Sequence, residues 1–563
     1  MKKKCASTDL CLKSFFLGPQ SENQGIISEE INYILNDWFE WRKGSFPEDG
    51  RAISISDQKN SQFNLKRQKI RSETRNLTKL FSREIPKYSP RYLGHMFSEI
   101  SIPSILGHFI ALLHNPNNIS SESSWVGVDI EKAAISFLSK MIGYSDRSPG
   151  HFTSGGTIAN FEAVIRAKKK IERQIINNAS KTKSFTEACY LPLKENTLTP
   201  DLSEIELYHL IKKSFNSNYQ GPALLVPDSK HYSWIKAASL LGIGRSNLIT
   251  VELNKYGQIC TQDLKRKVSF CIKEDKPIIS LTSVFGSTEL GTIDAIYDID
   301  TILKTYQKKG INLWHHVDAA YGGFFACLKN SKSASNHLLK SIQTLKTTQS
   351  ITIDPHKLGY IPYSAGVFIC RSPQDYYLYS TTAPYVDFKA QKDPGPYTIE
   401  GSRSATGAAA MYVTARSIGL NKNGYGKILE RTLEVAKKIK KEAIKQDLPL
   451  LFVKTAGTNI VCFAVGKPGD SLTKVNRVTK KLLTKISSKK NRKNSFFVSK
   501  THLNTNYKNL IKEFSLQYSL DQDTDELHLI RLTVMNPFMD NIHSKVNYIS
   551  EFINYLKLSL NRH

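Results

Sequence analysis

The stretch SITIDPHKLGYIPYSAG, Ser350–Gly366, sets the reading of the whole chain. Its β-branched run Ile351-Thr352-Ile353 predicts a short buried strand, and Asp354-Pro355-His356 stops that strand just before Lys357. A lysine held at a strand end can act as an imine-forming nucleophile. Most lysines after strands are solvated loop charges, so a functional reading needs partners elsewhere.

Four upstream stretches supply them. In WHHVDAAYGGFF, Trp314–Phe325, an apolar strand runs into Asp318 and then into Ala319, Ala320, Gly322 and Gly323, small residues that let a flat ligand lie against backbone. A carboxylate at a buried strand end is costly unless it meets a cation, and the protonated ring nitrogen of pyridoxal phosphate is one. In FTSGGTIANFEAVIRAK, Phe152–Lys168, a turn with Gly155, Gly156 and Thr157 opens an amphipathic helix whose free N–H groups suit a phosphate. PDSKHYSW, Pro227–Trp234, follows the strand PALLV and puts the flat imidazole of His231 at a strand-to-helix junction. SVFGSTELGTID, Ser283–Asp294, carries Thr288 in the turn after another strand.

Each stretch alone is weak, because a Gly-rich turn is mostly a plain turn and a lone histidine is mostly a satisfied core residue. Their order, phosphate turn, histidine, threonine, aspartate and lysine, resembles the group II pyridoxal-phosphate-dependent amino-acid decarboxylases over most of the chain. TIDPHKLGYIPYSAG, HVDAAYGGFF, FLGPQSEN and YTIEGSRS look most like the bacterial tyrosine decarboxylases and the archaeal tyrosine/aspartate decarboxylases. The resemblance implies a fold type I, aminotransferase-like α/β architecture working as a homodimer with pyridoxal 5′-phosphate. It implies that Lys357 carries the cofactor, Asp318 pairs with the ring nitrogen, and His231 stacks on the ring beside Ala320 and Thr288. Gly155, Gly156, Thr157 and His356 would lie at the phosphate. Tyr363 matches a tyrosine with a catalytic role in that branch, and His95 in RYLGHM matches a position near the substrate. Tyr363 could equally be a packed aromatic beside the site. The implied reaction is decarboxylation of an amino acid to its amine, with an aromatic substrate such as tyrosine expected. Decarboxylation of aspartate or glutamate and carbon–carbon lyase chemistry are the enzymatic alternatives.

Composition bounds these readings. A chain of 563 residues, 40% hydrophobic and 10% aromatic, is globular and too long for one simple core. Its eight cysteines have no C-x-x-C spacing, so neither a disulfide framework nor a zinc site is signalled, and a reducing cytoplasm is expected. MKKKCASTDLCLKSFF has a basic start, but Asp9 and Lys13 interrupt any signal-peptide core; no apolar run reaches membrane-span length. The net charge of +28 raises a non-enzymatic alternative, a polyanion-binding scaffold. Its densest part, Gly466–Ser495, lacks interleaved aromatics and reads as a solvated helix face and loop; nucleic acid and membrane are not expected partners.

Three segments are predicted. Residues 1–93 give a helical arm expected to pair subunits. Residues 94–403 alternate helices with the strands HFTSG, PALLVP, NLITVEL, PIISLTS, NLWHHVD, SITIDP and GVFICR, which predicts a mostly parallel sheet covered on both faces. Residues 404–563 read as a small α+β unit. Asn177–Ser214 reads as a polar surface insertion, Lys329–Ser350 as a mobile loop, and Ser380–Gly401 as a substrate entrance.

Overall fold

The computed structural model describes residues 12–193, 200–381, 393–455, 457–487, 495–540 and 545–561. Twelve strands form two sheets among these residues: β1 Tyr92–Leu93, β2 Gly150–Thr153, β3 Ala223–Pro227, β4 Leu248–Val251, β5 Ile278–Val284, β6 His315–Ala319, β7 Ser350–Ile353, β8 Gly366–Cys370, β9 Leu450–Phe452, β10 Ile460–Val465, β11 Phe497–Leu503 and β12 Leu527–Thr533. The larger sheet has the order β2-β8-β7-β6-β5-β3-β4. Its seven strands are the seven apolar runs expected from sequence. Strands β7, β6, β5, β3 and β4 pair in parallel, and only β8 runs against its neighbours. Residues of β3, β5, β6, β7 and β8 are buried throughout, as a parallel sheet covered on both faces requires.

The smaller sheet has the order β1-β11-β12-β10-β9, so a strand from residues 92–93 joins one made mostly by residues 450–533. Sequence patterning missed β11 and β1. The dense basic segment contains the helix Leu472–Ser487, which buries Leu472, Val475, Leu482 and Ile486 on one side and leaves its lysines outside. That is an ordinary amphipathic helix. Its continuation at 488–494 lies outside the described residues, as do Cys5, Cys11 and residues 382–392 of the expected entrance.

Two expectations are corrected. The stretch 177–214 is no surface insertion throughout: the helices Phe185–Tyr190 and Glu204–Phe215 bury Phe185, Tyr190, Leu207 and Ile211, and the Tyr190 hydroxyl accepts the Ile278 N–H of β5 at 2.9 Å. Its many lysines hid four well-spaced apolar anchors. Lys329–Ser350 likewise holds the helix Asn336–Thr344, capped by Ser335 and anchored by Leu338 and Ile342. The N-terminal helices Gln24–Ser45 and Ser61–Phe81 bury nothing within the chain. No helix among the described residues is long and apolar enough to cross a membrane.

Candidate active site

The strand ends of the larger sheet converge on a cavity of about 260 Å³. Gly155–Thr157 follow β2, His231 follows β3, Thr288 follows β5, Asp318 lies near the end of β6 with Ala320 just after it, and His356 and Lys357 follow β7; all of them line it. This is the carboxyl edge at which open α/β sheets bind ligands.

Asp318 is buried at the end of β6. Its Oδ2 accepts from Asn160 Nδ2 at 2.9 Å and from Trp234 Nε1 at 3.2 Å, and its Oδ1 accepts only a long bond of 3.3 Å from the Ala320 N–H. Asn160 is held in turn: its Oδ1 lies 3.3 Å from His316 Nε2, and His316 Nδ1 lies 2.8 Å from Ser350 Oγ. Burial pushes His316 down to about 3, so the ring in this chain is neutral.

The helix Gly156–Asn178 opens beside Asp318 with no side-chain cap on its first N–H groups. A Cβ on Gly156 would stand 2.9 Å from Asp354 Oδ2 and 3.2 Å from the Ala320 Cβ, so only glycine lets the helix start approach this closely. Across the turn, Lys357 Nζ lies 2.9 Å from Asp354 Oδ2, while the buried Asp354 Oδ1 has no hydrogen-bond partner.

His356 packs next to Gly155 and its Nδ1 accepts the Ala365 N–H at 3.1 Å, which leaves the proton of a neutral ring on Nε2. Burial, with the Lys357 charge, holds it below its ordinary value against the pull of Asp354. His231 follows the same pattern: Nδ1 accepts the Ser233 N–H at 3.3 Å, and burial lowers its pKa against the opposing charge of Asp318.

Tyr363 and His95 do not line the cavity. Tyr363 stacks on the His356 ring with centroids 4.0 Å apart and is 57% exposed in the single chain. Desolvation and the Asp354 carboxylate push its phenol up to about 12, and even at an ordinary value near 10 it keeps its proton at neutral pH. Phe97 meets Tyr363 edge-on at 6.2 Å and lies 6.0 Å from the His95 ring. Arg531, from β12, joins His95 to the site: its Nη2 lies 3.4 Å from His95 Nδ1, its Nη1 donates to the Thr288 carbonyl, and its Nε donates to Ser499 Oγ at 2.9 Å. Sequence reading missed Asn160, Trp234, Asp354 and Arg531. The helical spacing of Asn160 from Gly156 signals the first, and nothing local signals Arg531.

Residues 213–466 match the profile of the pyridoxal-dependent decarboxylase conserved domain. The chain is 29% identical over 520 residues to an L-tyrosine decarboxylase of Levilactobacillus brevis, covering 84% of this chain and 82% of the relative. Residues 213–466 thus form a pyridoxal-dependent decarboxylase domain. An aspartate 1-decarboxylase of Aliivibrio fischeri is 28% identical over 64% of this chain and 61% of the relative. Among solved structures, mouse CSAD superposes with a TM-score of 0.63 at 19% identity, covering 85% of this chain and 86% of its own, a likeness of fold. The architecture of this decarboxylase is fold type I, its reaction the release of CO₂, and its cofactor pyridoxal phosphate. The residues present fit that group: a buried carboxylate with an under-used oxygen, an uncapped helix start, a flat histidine and a lysine all face one cavity.

Proposed function

We propose that this decarboxylase converts an aromatic L-amino acid, L-tyrosine above all, into its amine. The observation that carries the choice is the extent of likeness: the tyrosine enzyme aligns over 84% of the chain and the aspartate enzyme over 64%. The aromatic wall of His356, Tyr363, Phe97 and His95 supports it, since stacked rings suit a flat side chain. An acidic side chain needs a free cation, and Arg531 already spends its nitrogens on Thr288, Ser499 and His95. Aspartate stays the second reading because its relatives share the chain's core.

Each residue has a proposed task. Lys357 binds the cofactor, Asp354 holds the Lys357 ammonium in place, and Gly155, Gly156, Thr157 and His356 receive the phosphate. His231, Ala320 and Thr288, which line the same cavity, would hold the ring. Asp318, fixed by Asn160 and Trp234, keeps a proton on the ring nitrogen. Bound pyridoxal phosphate supplies an electron sink for the pair released as CO₂ leaves. Cα then needs a proton, and Tyr363, protonated at neutral pH and stacked on His356, is the proposed donor. His95, steered by Arg531, is the proposed partner for a substrate hydroxyl; an analogue lacking that group would leave it unpaired.

Assembly and location complete the proposal. A homodimer is supported by Tyr33, Trp41, Ile70, Leu77 and Phe81, all exposed on the two N-terminal helices. A cytoplasmic setting is supported by the six described cysteines, all of them free. Measuring CO₂ release over the twenty common amino acids with cofactor-loaded protein tests the substrate. Preference for tyrosine is expected; preference for aspartate or glutamate overturns the reading.

A further inference from the structure

The smaller sheet carries a second cluster, away from the cavity. Strands β11 and β12 are antiparallel, and His502 stands directly opposite His528. The His528 N–H points away from β11, donating to Asn476 Oδ1 at 2.8 Å. The pair is therefore of the non-hydrogen-bonded kind, in which facing side chains come closest. The two imidazoles stack at 4.1 Å with their planes 11° apart. Glu526, two residues before His528 and so on the same face, places Oε2 3.4 Å from His502 Nε2 and 3.6 Å from His528 Nε2. His528 Nε2 is buried and has no hydrogen-bond partner.

We propose that His502, Glu526 and His528 bind one divalent transition-metal ion of the zinc class. Two ligands of a tetrahedral zinc, each about 2.0–2.1 Å from the ion, stand about 3.3–3.4 Å apart. The separation from Glu526 to His502, 3.4 Å, meets that spacing, the one to His528, 3.6 Å, is slightly longer, and the three ligand atoms all lie within 4.8 Å of one another. Tilting the stacked rings apart brings both nitrogens onto one ion, and water takes the fourth position. Two imidazoles and one carboxylate favour Zn²⁺, Co²⁺ or Ni²⁺ over Mg²⁺ and Ca²⁺, which require more oxygen ligands, and the lack of thiolate disfavours Cu⁺. Lys480, on the helix Leu472–Ser487, is the cation facing the cluster and opposes binding. No other group of three such side chains is found among the described residues. The ion would staple β11 to β12, the two strands whose other face carries Ser499 and Arg531 toward the cavity.

The test is calorimetric titration of untagged, cofactor-loaded protein with Zn²⁺ after chelator treatment and dialysis, with the visible spectrum of the Co²⁺ form as a second readout. One ion per chain is expected. Because even outer partners of metal ligands are worth about 10–100-fold, His502→Gln and Glu526→Gln should each weaken binding by roughly 100-fold. His502 is 45% exposed, so its variant leaves the core intact, which melting in chelator verifies. Absence of binding, a dissociation constant above about 1 mM, or affinity unchanged in both variants overturns the site.

Discussion

At the residue scale, the buried hydrogen bonds assign work that can be measured one side chain at a time. Lys357→Ala should abolish CO₂ release while leaving the thermal melt of the cofactor-free protein in place. Borohydride reduction that fixes the cofactor to any other lysine would refute the assignment. Asp318→Asn keeps the size of the side chain but gives up the negative charge proposed to pair with the ring nitrogen; removal of such a preorganised electrostatic partner predicts a loss of at least roughly 100-fold in turnover. Near-normal turnover would take Asp318 out of the chemistry. The histidines behind the site give a pH prediction. Burial holds His315 at about 4 and His316 at about 3. The unfolded chain protonates both near 6.5, so acid favours unfolding: their stabilisation is complete above that pH and is lost as pH falls. Each costs about 1.4 kcal/mol per pH unit below 6.5 until its folded value is reached. His316→Gln should therefore show a stability slope between pH 6.5 and 5 shallower by about 1.4 kcal/mol per unit. Parallel slopes for variant and parent in denaturant titrations would contradict the buried, neutral state of His316.

At the level of elements, the site depends on how closely a helix start and two strand ends approach. Gly156→Ala would push a methyl against Asp354 and Ala320. The expected result is a folded protein with cofactor affinity lowered by roughly tenfold or more, about 1.4 kcal/mol of lost fit, read from cofactor titration; unaltered affinity would show that this approach does not shape the phosphate end. The strand-end residues were legible in sequence because each lies beside a local signal: an apolar run, then an abrupt stop. All seven strands of the larger sheet announced themselves that way. What stayed hidden depended on partners far along the chain. Arg531 looks like one more cation in a basic protein until β12 pairs with β11 and carries it to Thr288 and His95. The Phe497–Leu503 strand alternates buried and exposed positions, but its buried Ser499 and Thr501 are polar, so no apolar period marks it in the sequence. Asn160 and Trp234 sit on helices whose patterning serves burial, so their donation to Asp318 is a property of packing.

For the whole molecule, the two N-terminal helices hold no fully buried residue and leave large apolar side chains exposed, with Trp41 meeting the His114 ring at 4.8 Å. If they pair subunits, light scattering should give the mass of two chains. Trp41→Glu combined with Leu77→Glu should yield monomers and loss of turnover, and an active wild-type monomer would rule the pairing out. The smaller sheet imposes a different demand, on synthesis. Tyr92 pairs with Phe497 and Leu93 with Val498, while the Gly94 carbonyl accepts from Ser499 and Thr533. An edge strand made early thus has to wait for a partner some 400 residues later. At about 5–20 residues per second that wait lasts roughly 20–80 s. Through it the ribosome holds a chain whose parallel sheet can close but whose Arg531 has not yet been made, and a message truncated before its last tenth would release a protein able to cradle a phosphate yet lacking the strand that ties His95 and Thr288 together.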